Sequence, residues 1–72
     1  MMKGEQFDAL VKLIRGDVDS AGNRAARRVL VDRISPADAM REAGASRSAV
    51  SNAVRRYTDA DALVRRAYNV KD

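Results

Sequence analysis

Apolar residues recur at helical spacing along almost the whole chain. Over residues 5–14, Phe7, Leu10, Val11 and Ile14 stand at i, i+3, i+4 and i+7, which is one face of an amphipathic helix. Gly16 is placed to end it, because glycine enters the left-handed conformation without a side-chain penalty. Residues 17–23, with two Asp, Ser20, Gly22 and Asn23, offer caps and little to bury, and they read as a connecting loop. A second helix is expected over residues 24–33, with Ala26, Val29 and Leu30 turned inward and Arg24, Arg27 and Arg28 outward.

Residues 35–57 are the most informative stretch. Ser35 is a natural N-cap and Pro36 suits the first helical position, where its missing N–H costs nothing. Asp38 adds favourable charge to the first turn. Ala39, Met40 and Ala43 supply an inner face of mostly small side chains, Gly44-Ala45 makes a turn, and Ser46 caps the next helix. In that helix, residues 46–57, the spacing of Val50, Ala53, Val54 and Tyr57 sets the buried side. Two short helices around a Gly-containing turn form the pattern of a helix-turn-helix, whose second helix enters a DNA major groove.

Thr58-Asp59-Ala60-Asp61 resembles a capping box and predicts a new helix through residues 58–72, with Ala60, Leu63, Val64, Ala67 and Tyr68 as its stripe. The elements sum to an all-α fold: a small helical bundle of about five short helices containing a helix-turn-helix, in one domain over residues 1–72. The last helix either closes the core or pairs with its copy. Dimerisation through Leu63, Val64, Ala67 and Tyr68 is the expectation, since paired half-sites raise the affinity of small helix-turn-helix proteins.

Composition narrows the function. The chain has 72 residues and no Cys or His, so disulfide staples and thiolate or imidazole metal sites are excluded. No metal or cofactor is expected, and an enzyme is disfavoured because the acids are scattered and no Gly-rich loop follows a strand. Ala makes up 13 of 33 apolar residues, so the core is thin and finely packed. No stretch is apolar enough to span a bilayer and the N-terminus lacks a secretory signal, so no membrane partner and a cytoplasmic, nucleoid-associated location are expected.

The net charge is +4, and the excess lies on residues 24–57, which carry eight Arg against three acidic residues. Such a field suits a phosphate backbone, where counterion release supplies sequence-independent affinity. Opposite the buried side of the helix over residues 46–57 stand Arg47, Ser48, Ser51, Asn52 and Arg55, with no Asp or Glu from Arg47 to Tyr57. A polar helix face is usually only a solvated one, but the lack of carboxylates favours a polyanion. Arg can bond guanine O6 and N7, Asn adenine N6 and N7, and Ser either. Arg47, Ser48, Ser51 and Asn52 are therefore the expected base contacts. Arg24, Arg27, Arg28, Ser46, Arg55 and Arg56 are the expected phosphate contacts.

These residues also resemble the KorA/TrfB-type transcriptional repressors of bacterial plasmids. The likeness runs roughly over residues 5–57. It rests on Gln6-Phe7, on Ala26-Arg27 followed by Val29-Leu30-Val31-Asp32, and on Arg47, Ala49-Val50-Ser51 and Ala53-Val54. The resemblance implies a dimer whose second motif helix reads an operator, with Arg47, Ser51 and Asn52 toward the bases. It further implies a repressor from a plasmid, phage or other mobile element, bound to double-stranded DNA at a palindromic operator. Two features depart from the family. Met40 stands where a small residue is usual, so a wider helix crossing is expected. The family also dimerises through strands in a longer C-terminal part, so a dimer of this chain should be built differently. Two other readings remain: a protein-binding module acting on a host regulator, and an accessory DNA-binding factor for recombination or excision.

Overall fold

A computed structural model describes residues 2–68. It contains four helices, α1 (Gly4–Leu13), α2 (Ala21–Leu30), α3 (Pro36–Ala43) and α4 (Arg47–Tyr68), and no strand among the described residues. The all-α expectation holds, but the count is four rather than five. The break expected at Thr58 is absent, and residues 69–72 of the expected last helix lie outside the described residues. The physical reason lies in the stripe itself. Val50, Ala53, Tyr57, Ala60 and Val64 advance by three and four residues without a phase change, and no Gly or Pro interrupts residues 47–68. Thr58 and Asp59 are exposed on an uninterrupted helix, where their neighbours' backbone N–H groups already have partners and need no cap.

α1 ends differently from the sequence expectation. The left-handed residue is Arg15, at φ 56°, and not Gly16. Gly16 N–H donates to Val11 O at 2.8 Å and Arg15 N–H to Lys12 O at 3.2 Å, the paired bonds of a Schellman turn. Gly16 is required for another reason: a Cβ there would collide with the Tyr57 hydroxyl. α2 starts three residues earlier than expected. Ser20 Oγ accepts the Asn23 N–H at 3.1 Å, and Asn23 Nδ2 donates to Asp17 O at 2.6 Å, so the polar loop residues serve as the cap.

α2 lies at the centre, packed on α3 along one side and on α4 along the other. Its adjacent Ala25 and Ala26 are fully buried and serve two separate clusters. Ala26 joins Met2, Phe7, Leu10, Val11, Ala53 and Tyr57, a group that fixes α1 against α2 and α4. The Phe7 and Tyr57 rings meet tilted at 49° with centroids 4.7 Å apart, and burial of the Phe7 side chain contributes roughly 1.5–3 kcal/mol. Tyr57 Oη is buried without a hydrogen-bond partner among the described residues. Ala25 joins Ala39 and Val50, with Val29, Ile34, Met40 and Val54 packed around them. Small residues let the backbones close up: a Cβ on Gly22 would lie 3.2 Å from Ala49 O. The long dimension of the molecule, 36 Å, follows from α4, whose 22 residues extend about 33 Å.

Candidate nucleic-acid interface

The candidate interface is held by α3, a three-residue turn and the first half of α4. Ser35 Oγ accepts the Asp38 N–H at 3.1 Å, and Pro36 occupies the first turn. Gly44 ends α3 at φ 66° with its N–H on Met40 O at 2.9 Å, a conformation that glycine adopts without strain. Ser46 then accepts the Ala49 N–H at 3.1 Å and starts α4. Ser46 was expected to touch phosphate; its Oγ has this capping partner, and the residue is exposed. Met40, half-buried, packs at the edge of the Ala25, Ala39 and Val50 cluster.

The phase of α4 follows the sequence. Val50, Ala53 and Tyr57 are buried, while Arg47, Ser48, Ser51, Asn52, Arg55 and Arg56 are all exposed. The six exposed side chains form two rows. Arg47, Ser51 and Arg55 follow at i, i+4 and i+8 on the side toward α3. There, Arg47 and Ser51 border one hollow with Pro36, Ala37 and Met40, and Ser51 and Arg55 border another with Pro36 and Val29. Ser48, Asn52 and Arg56 follow at the same spacing on the other side, where Arg56 borders Gly16 at the end of α1. Among the described residues none of Arg47, Arg55 and Arg56 makes an ion pair. Sequence reading overlooked Pro36 and Ala37 as neighbours of this face. Their place beside Arg47 and Ser51 is set by the packing of α3 on α4, which no periodicity within either helix reveals.

The arginines of α2 fare differently. Arg27 Nε lies 3.0 Å from Asp8 Oδ1 on α1. Arg28 forks onto Glu42 of α3 at 2.8 and 2.9 Å and reaches Asp32 at 3.0 Å. Arg24 donates to the Asp19 carbonyl and, at 3.4 Å, to Ala43 O at the end of α3. The expected cationic stripe thus exists in position, but its charge is engaged within the fold. The Asp8 carboxylate holds the Arg27 guanidinium above its ordinary value, and Glu42 and then Asp32 do the same for Arg28. Arg28 in turn draws the Glu42 carboxyl below its ordinary value. Arg41 pairs with Asp38, and Arg65 with Asp61 at 2.9 Å.

The residues expected at a dimer seam separate. Leu63 and Tyr68 are 63% and 77% exposed and Ala67 is exposed, whereas Val64 is half-buried and packs on the Phe7 and Tyr57 cluster. No helix among the described residues is long and apolar enough to cross a membrane, and no group of three His, Cys, Asp or Glu stands together there. No family model, curated protein or solved structure matches this chain.

Proposed function

We propose that this chain is a sequence-specific double-stranded DNA-binding protein, with α3, the turn and α4 acting as a helix-turn-helix. The observation that carries the reading is the exposed face of α4's first three turns. It has six hydrogen-bonding side chains, no carboxylate before Asp59, and three arginines unpaired among the described residues. In a major groove Arg47, Ser48, Ser51 and Asn52 read base edges, while Ser46, Arg55 and Arg56 meet phosphates. Arg24, Arg27 and Arg28 hold helices together and are left out of the contact set. The resemblance to plasmid repressors supports a regulator of transcription, probed as a homodimer on a palindromic operator in the cytoplasm.

Selection of bound sequences from a random duplex pool is the direct test, and a recurring motif is expected. Asn52→Ala should then cost about 1–3 kcal/mol on the selected duplex and much less on an unrelated one. Equal losses on both duplexes would remove Asn52 from the base-reading set, and a pool that returns no motif would overturn the function.

A further inference from the structure

Midway along the second half of α4, an apolar side chain lies on the outer surface without cover. Leu63 is 63% exposed and borders a hollow shared by Ile14, Arg15 and Gly16 of the α1 turn and by Arg56, Asp59 and Ala60 of α4. At the end of α1, Ile14 is itself 37% exposed beside this hollow. Because Val64 turns into the monomer core, the free stripe of α4 is Asp59, Leu63 and Arg66, at i, i+4 and i+7. That order, acid then apolar then base, is self-complementary. A two-fold rotation through Leu63 sets two α4 helices antiparallel and brings Asp59 of each copy opposite Arg66 of the other. Among the described residues neither Asp59 nor Arg66 makes an ion pair within its own chain.

We propose that this stripe is the seam of a homodimer, in which a second copy of the chain crosses α4 at Leu63, with Ile14 at the edge of the contact and two Asp59–Arg66 pairs flanking it. The seam stands on exposure and charge order alone; its consequence for DNA rests on the function proposed above. Thirteen residues separate Val50 from Leu63, about 19.5 Å of helix, so two copies place the centres of their reading faces about 39 Å apart when strictly antiparallel. At the common crossing of about 50° that separation shortens to about 35 Å, one turn of B-DNA. The directions also agree. Leu63 lies eight residues beyond Arg55, about 80° around the helix, so the seam is nearly perpendicular to the face offered to the groove. A two-fold axis pointing into the DNA requires that angle.

Sedimentation of the full chain without DNA, at up to about 100 μM, tests the seam separately from the function. A dimer mass is expected, with Leu63→Asp monomeric at unchanged helicity. Asp59→Arg and Arg66→Asp should each weaken the dimer about tenfold, because symmetry repeats the change at two places, and the two together should restore it to within about threefold. A wild-type monomer throughout, a Leu63→Asp dimer, or a double variant as weak as the sum of its parts would each overturn the proposal. Loss of DNA recognition in an Asn52 variant with an intact dimer bears on the function alone.

Discussion

Arg27 and Arg28 on α2 and Arg47, Arg55 and Arg56 on α4 are the same side chain in two circumstances. On α2 the guanidiniums meet Asp8, Asp32 and Glu42, and they tie α1 and α3 to the central helix. On α4 Arg47, Arg55 and Arg56 make no ion pair among the described residues, although Asp59 stands about one turn beyond Arg55 and Arg56, and their charges are left to solvent or to a partner. What separates the two sets is the placement of carboxylates across the fold. Local arginine density would have favoured α2, where three arginines share one helix face, yet the available positive field belongs to α4. For a polyanion this matters, because a guanidinium already held by a carboxylate must give up that bond before it can release a counterion from DNA.

The largest effect should come from removing the free set. Arg47→Gln, Arg55→Gln and Arg56→Gln together should weaken duplex binding about a hundredfold and, through the two phosphate-facing arginines, lower the slope of log K against log salt by about 2. The matched α2 variant, Arg24→Gln, Arg27→Gln and Arg28→Gln, should leave the salt slope unchanged while lowering Tm by several degrees, since only intramolecular bonds are lost. A salt slope that falls as far in the α2 variant as in the α4 variant would break the comparison.

The smallest effect is one of pH. Because Arg28 holds the Glu42 carboxyl below its ordinary value of 4.5, the pair adds stability above that value and loses it as pH falls through the lowered one. Glu42→Gln should therefore melt slightly below the wild type at neutral pH, and the two melting curves should converge on acidification. A gap that persists in acid would show that Glu42 contributes by packing instead of charge.

Much of this arrangement was legible in the residues. The spacing of Val50, Ala53 and Tyr57 set the phase of α4, and with it the exposure of Arg47, Ser48, Ser51 and Asn52, because a helix allows no other assignment once its apolar stripe is known. Ser35, Gly44 and Ser46 likewise marked boundaries that their hydrogen bonds bear out, and Pro36 stands in the first turn of α3. Thr58 misled, since a capping sequence is only an option that a helix with an unbroken stripe does not need. Other features are properties of the assembled fold. Asp8 lies 19 residues from Arg27 and Glu42 14 from Arg28, separations at which no periodicity carries information. The left-handed turn falls at Arg15, with glycine one position later, and Tyr57, 41 residues further along the chain, fills the space a side chain at Gly16 would need.

That α4 is one unbroken helix of 22 residues has a consequence for how such a protein can change. A single inserted residue between Tyr57 and Leu63 lengthens the rod by about 1.5 Å but also turns everything beyond it by about 100°. The two ends would then face the wrong ways relative to each other. Seven residues nearly restore the phase, to within about 20°, and lengthen the rod by about 10.5 Å. Length and direction along α4 are thus geared together, and insertions that preserve both ends come only in discrete sizes.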